Sequence, residues 1–121
     1  MLLPRENRLN QKKDFQRVFQ KGKGLRENLL TFKWAPNNLK VSRFGFIVSK
    51  KISKKAIVRN QIKRRLREKV RIELPRLKKG IDGVIIVRPG VAKEKNQEIS
   101  KNLNKIFLRA KLIRKNGSSN F

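Results

Sequence analysis

The stretch from Ser49 to Glu68, SKKISKKAIVRNQIKRRLRE, decides how the rest of the chain is read. From Val58, the residues Ile62, Leu66, Val70 and Leu74 recur at every fourth position, which is one buried face of an α-helix. Pro75 ends the pattern, because proline lacks the N–H and its ring clashes with the preceding turn. Over the same stretch Lys50, Lys51, Lys54, Lys55, Arg59, Lys63, Arg64, Arg65 and Arg67 are cationic, and Glu68 is the first carboxylate reached. One face is anchored in a core while the others hold ammonium and guanidinium groups in fixed register. That is more charge of one sign than solubility requires, and it calls for a polyanion. With Ser53 as N-cap, Lys54 and Lys55 fall in the first turn, where cations oppose the helix dipole, so a bound anion or a functional demand offsets their cost. Asn60, a poor helix former, either bonds locally or makes a directed contact to RNA or a hydrated metal.

The whole chain repeats the bias. Its 121 residues carry 34 Lys and Arg against 8 Asp and Glu, a formal charge of +26. Self-repulsion on this scale destabilises the free protein until counter-anions bind. The length suits a single domain, 1–121, large enough to bury roughly two-thirds of its unfolded surface without disulfides or metal. There is no Cys and no His, which removes zinc fingers, thiolate nucleophiles, Ser-His-Asp triads and imidazole acid–base chemistry. No apolar run reaches membrane-spanning length and Leu2, Leu3 and Pro4 make no signal-peptide core, so a cytoplasmic protein without a membrane partner is expected. Nucleic acid is the expected partner, and charge alone does not separate ribosomal, other RNA-binding and DNA-compacting proteins.

Around the basic helix the chain reads as follows. Residues 1–9 show no periodicity and carry Arg5 and Arg8, as expected of a flexible arm. Asn10 stands as an N-cap before Phe15, Val18 and Phe19, a short amphipathic helix that Gly22 stops. The two phenylalanines are either core or a stacking surface for bases. Lys21 to Gly24 reads as a turn, and LLTFKW (29–34) and RFGFIVS (43–49) as strands that pair in a hairpin. Leu30, Phe32 and Trp34 share one face of the first, as core or as an aromatic platform. On the second, Phe44, Phe46 and Val48 oppose Gly45, Ile47 and Ser49. DGVIIVR (82–88) is apolar enough to be a central strand covered on both faces. A scaffolding helix follows within 91–113, with Ile99, Leu103, Ile106, Phe107 and Ala110 as its stripe, and 114–121 reads as a disordered tail. The order α-β-β-α-β-α describes an α+β fold, a two-layer α/β sandwich of helices on a small central sheet.

Chemistry for bond cleavage is hard to find. The carboxylates are scattered, and Glu94 with Glu98, the one pair at helical spacing, sits among lysines as intrahelical salt bridging would place it. No phosphate-binding glycine loop is present. What remains is binding: arginine forks, lysine point charges, aromatic faces and the Asn60 amide.

These residues carry a resemblance. Ser49-Lys50-Lys51-Ile52, then Ala56 and Val58-Arg59-Asn60-Gln61-Ile62-Lys63-Arg64, resembles the signature of the protein subunit of bacterial ribonuclease P. Asn7-Arg8-Leu9, Asp14-Phe15, Val18-Phe19, Gly22 and Asp82-Gly83-Val84-Ile85-Ile86 agree, over about residues 7–113. Two positions depart: Gln61 stands where the family commonly has arginine, and Ser53 where glycine is usual. The resemblance implies a left-handed βαβ crossover around the basic helix, against the usual hand. It implies a protein that binds a catalytic RNA, one of each, with further dimerisation left open. That protein holds the single-stranded 5′ leader of precursor tRNA between the first helix and the sheet, while magnesium-assisted hydrolysis belongs to the RNA. Carried over, Phe15, Phe19 and Phe32 line that cleft with Leu30 and Ser49. Lys50, Lys51, Arg59, Asn60, Lys63, Arg64 and Arg67, flanked by Lys54, Lys55 and Arg65, face RNA. DNA is not an expected partner.

Overall fold

The most apolar run of the chain becomes the centre of its sheet. In the computed structural model, which describes residues 3–93 and 95–113, strand β4 (Ile81–Val87) lies between β2 (Leu30–Pro36) and β3 (Arg43–Ile47). Strand β1 (Lys23–Glu27) forms the outer edge beside β2. The β1–β2 and β2–β4 pairs are antiparallel, whereas β3 and β4 are parallel. Parallel neighbours need a crossover, and helix α2 (Ala56–Glu73) supplies it as a βαβ unit. Helices α1 (Lys12–Lys21) and α3 (Asn96–Arg109) complete the described α+β architecture.

The two faces of the sheet bury different clusters. Leu30, Phe32, Phe44, Ile85 and Val87 pack with Ile62, Leu66 and Val70 of α2 and with Ile99, Leu103, Ile106 and Phe107 of α3. Phe32 stacks on Trp34 with centroids 5.3 Å apart and meets the Phe107 ring edge-on at 5.7 Å. On the opposite face a smaller cluster of Leu9, Val18, Ala35 and Val84 is joined by Phe15, Ile47 and Ile86.

Several expectations change. The strands at 29–34 and 43–49 do not form a hairpin; β4 separates them, and β2 turns back instead onto β1. Asn28, at φ 53°, provides the left-handed residue of that turn. Residues 3–9 are not a loose arm. Leu3 is fully buried in the α2–α3 core, Asn7 Nδ2 donates to the Ser42 carbonyl at 2.8 Å, and Arg8 bridges to Phe44. Met1, Leu2 and the expected tail at 114–121 lie outside the described residues, as does Glu94. Helix α2 begins at Ala56 and not after Ser53, whose hydroxyl accepts the Lys55 N–H at 3.1 Å in a local turn; Lys54 and Lys55 therefore precede the helix. Gln11, not Asn10, occupies the cap position of α1. Gly22 ends α1 because a Cβ there would lie 2.4 Å from the Val18 carbonyl oxygen and 2.7 Å from that of Trp34.

A buried carboxylate fastens α1 to the sheet. Asp82 of β4 is fully buried and accepts hydrogen bonds from Arg43 Nε at 2.9 Å, Arg43 Nη2 at 2.6 Å, Asn37 Nδ2 at 2.9 Å and Arg17 of α1. Arg17 also donates to the Pro36 carbonyl at 2.8 Å, and Arg43 reaches Asp14 of α1 at 3.6 Å. The hydrogen bond to Asp82 raises the Arg43 pKa above the ordinary arginine value.

Candidate nucleic-acid interface

Burial of Ile62, Leu66 and Val70 fixes the rotation of α2 and hence the directions of its cations. Four of the described acids pair with arginines outside the cationic run. Glu68 takes Arg71 Nη2 at 2.5 Å and Nε at 3.0 Å, Glu73 pairs with Arg76 at 3.2 Å, Glu27 with Arg109 at 2.8 Å, and Asp82 with Arg17 and Arg43. The Arg71 hydrogen bond holds the Glu68 carboxyl below the usual glutamate range. Among the described residues no acid pairs with Lys50, Lys51, Lys54, Lys55, Lys63 or Arg64.

Three arginines of the run are held by local contacts. Arg59 donates to the Ser53 carbonyl at 2.9 Å and ties the 49–55 loop to the helix. Arg67 lies 5.9 Å from the centroid of the Phe46 ring, and Arg65 Nε donates to Asn96 Oδ1 of α3 at 2.7 Å. Asn60 is exposed on α2 and bonds to no described residue, so local bonding does not explain it.

The other sheet face carries a groove beside α1. Phe15 lies against Gly45, where a Cβ would fall 2.4 Å from the ring. Phe19, one turn along α1, remains 38% exposed, with Lys33 Nζ 5.8 Å from its centroid. Thr31, Ile86 and Ile47 are cross-strand partners in a half-buried row over β2, β4 and β3, and exposed Ser49 lies just beyond. Ser49 Oγ accepts the Lys51 N–H at 3.3 Å, and the cationic loop starts at Lys50, the next residue. Leu30 and Phe32 do not belong to it. Both are buried on the α2–α3 face, since residues of opposite parity on a strand point to opposite sides. Their places are taken by Thr31 and Lys33.

The family model for Ribonuclease P matches residues 3–111. The chain belongs to the ribonuclease P protein family. The ribonuclease P protein component of Microcystis aeruginosa is 38% identical over 117 residues, covering 93% of this chain and 98% of that protein. Among solved structures, the RNase P protein of Staphylococcus aureus superposes with a TM-score of 0.82 at 27% identity, covering 89% of this chain and 98% of that one. The RNase P protein from Thermotoga maritima gives a TM-score of 0.77 at 29% identity, covering 84% and 96%.

For a ribonuclease P protein the donor set matters as much as the fold. Among the described residues no three acidic, His or Cys side chains converge as a group that could hold a metal. No described helix is long and apolar enough to cross a membrane. Gln61, where the family commonly has arginine, is exposed on α2. Thr31, Lys33, Ile47 and Ile86 escaped the sequence reading although the signal was there: in LLTFKW the polar parity, Thr31 and Lys33, marks the open side of a strand whose apolar parity is core.

Proposed function

We propose that this chain binds the catalytic RNA of ribonuclease P through the 49–55 loop and α2, and holds the single-stranded 5′ leader of precursor tRNA in the groove between α1 and the sheet. The observation that carries the reading is the meeting of two surfaces at Ser49–Lys51: a groove with an exposed aromatic wall, and a loop whose Lys50, Lys51, Lys54 and Lys55 pair with no acid among the described residues. Bases of a single strand stack on Phe19 and Phe15 whatever their sequence, while Lys33 and the adjoining loop lysines meet its phosphates. Lys50, Lys51, Lys54, Lys55, Arg59, Asn60, Lys63, Arg64, Arg65 and Arg67 face RNA.

Hydrolysis at the mature 5′ end is assigned to the RNA, with magnesium held mainly there. The protein contributes position and charge. Fixing the leader makes attack on one phosphodiester effectively intramolecular, and neutralising phosphates lowers the repulsion between two RNAs. The assembly is one protein with one RNA, in the cytoplasm.

The test is 5′ cleavage of a precursor tRNA by a bacterial ribonuclease P RNA at low magnesium, with and without this chain. Protein-dependent cleavage at the mature 5′ end is expected. Binding of the RNA without restored cleavage would leave a general RNA-binding role in its place.

A further inference from the structure

The outer face of α2 changes character along its length. Between Lys55 and Lys63 its exposed positions are Ala56, Ile57, Asn60 and Gln61, and none of them carries charge. The one cation of this span, Arg59, is half-buried and turned back to the Ser53 carbonyl at 2.9 Å. Ile57, Asn60, Gln61 and Arg64 follow at i, i+3, i+4 and i+7, so they share the side of the helix opposite the buried Ile62, Leu66 and Val70. Lys54 and Lys55 precede this patch, and Lys63 and Arg64 follow it. On a chain with 34 Lys and Arg, the outermost part of the basic helix is thus an apolar side chain with two amides, framed by cations.

Helix stability does not favour this choice. Isoleucine and asparagine rank below the straight-chain residues in helix propensity, and Ile57 is 73% exposed. A lone exposed isoleucine needs no explanation, but this one stands within about one turn of Asn60 and Gln61. The amides also differ from the cations around them. Lysine and arginine only donate hydrogen bonds, whereas an amide accepts as well. A nucleobase edge presents donors beside its acceptors, and a carboxylate placed to meet those donors would be repelled by the neighbouring phosphates. Asn60 and Gln61 supply the acceptor without negative charge.

We infer that Ile57, Asn60 and Gln61 read one unpaired nucleobase of the RNA subunit: the amides bond its edge, Ile57 packs on its ring, and the framing cations hold the phosphates on either side. The inference rests on the RNA-binding reading above and adds that this part of α2 recognises sequence, where the rest of the run recognises charge. The base belongs to the RNA subunit and not to the leader, because α2 lies across the sheet from the Phe15–Phe19 groove. It is unpaired because the deep, narrow major groove of duplex RNA keeps base edges from side chains. Arginine, common in the family at position 61, would put a donor-only cation in this window, whereas Gln61 keeps it neutral.

The full chain and its variants Gln61→Ala, Ile57→Ala and Gln61→Arg are titrated across a salt series with the ribonuclease P RNA of the same organism and with a scrambled transcript of equal length, and the RNA-free proteins are melted. Gln61→Ala is expected to weaken binding to the ribonuclease P RNA about tenfold, as the loss of one directed base contact does, and Ile57→Ala about three- to tenfold for the lost apolar burial. Neither changes the logarithmic salt slope, because no phosphate contact is lost, and neither alters binding to the scrambled RNA. Alanine is the better helix former at both positions, so RNA-free melting stays equal or rises. Gln61→Arg raises affinity for both RNAs and steepens the slope by about one, so the preference for ribonuclease P RNA falls. A shallower slope with Gln61→Ala, or equal loss on both RNAs, would make the patch a phosphate contact and overturn the base assignment. A stronger preference for ribonuclease P RNA with Gln61→Arg would mean that position 61 merely lacks a cation, and would overturn it too. Loss confined to precursor tRNA would give the base to the leader. If the unaltered chain does not prefer ribonuclease P RNA over the scrambled transcript, the RNA-binding reading itself falls, whereas a clear preference with indifferent variants removes only the window.

Discussion

Phe19 and Phe32 show how position on a helix or strand separates an exposed ring from a packed one. Phe19 presents an exposed ring beside Lys33, whereas Phe32 is fully enclosed between Trp34 and Phe107. Base stacking on an aromatic contributes about 1–3 kcal/mol, so Phe19→Ala is expected to weaken precursor tRNA affinity at least about fivefold while mature tRNA binds as before. Phe32→Ala instead removes a core ring and lowers unfolding free energy by about 3–5 kcal/mol; any of it that stays folded keeps its preference for the leader. Equal loss for precursor and mature tRNA with Phe19→Ala would count against the groove. Asp82 is the other residue whose environment decides its effect. It is fully buried and its partners are two arginines that retain access to water. Asp82→Asn strands those arginines only partly, at about 2–3 kcal/mol, whereas Arg43→Ala removes the main partner of a buried charge and costs about 3–5 kcal/mol. Urea unfolding of the two variants measures that order.

At the scale of elements, the chain displays its helices more openly than its pairings. The rotation of α2 follows from five apolar residues at constant spacing, and its observed burial of Ile62, Leu66 and Val70 agrees. The apolar strands were equally legible, including the parity of Phe44 and Phe46 against Gly45 and Ile47. Partner choice was not, because β3 reaches β4 only by a crossover around α2, and period-2 alternation says nothing of neighbours. Strand β1, KGLRE, was missed for another reason: it has no β-branched or aromatic residue and pairs as an edge to an existing strand. The 3–9 segment is anchored by single residues, Leu3, Asn7 and Leu9, too few to make a period. Gly22 tests how separately the two sheet faces work. In Gly22→Ala the new methyl meets backbone oxygens of Val18 and Trp34, so the end of α1 must lift from β2 at about 1–3 kcal/mol. If α2 binds the RNA subunit as proposed, the leader preference is expected to fall while affinity for that RNA holds. Parallel loss of both in binding titrations would mean that the faces are coupled.

The molecule as a whole is a balance between a two-sided core and a charge of +26. Five described acids, Asp14, Glu27, Glu68, Glu73 and Asp82, are engaged by arginines of α1, β3, the end of α2, the turn after it and α3, which leaves the 49–55 loop and the outer half of α2 to repel one another. Those cations are fixed by the same burial that builds the helix, so folding concentrates like charge, and anions that bind the folded arrangement stabilise it by mass action. Sulfate at ten times its dissociation constant contributes about 1.4 kcal/mol, which for a domain of this size raises the melting temperature by about 6 °C. The expected signature is anion specificity: above the dissociation constant, melting temperature rises with the logarithm of sulfate concentration when ionic strength is held constant with chloride. Diffuse screening behaves differently, following ionic strength whichever anion supplies it. A sulfate curve that matches chloride at equal ionic strength would mean that the charge is merely screened. A logarithmic rise with sulfate that chloride does not reproduce would mean that the folded protein is built around discrete anion sites, the kind that RNA phosphates fit.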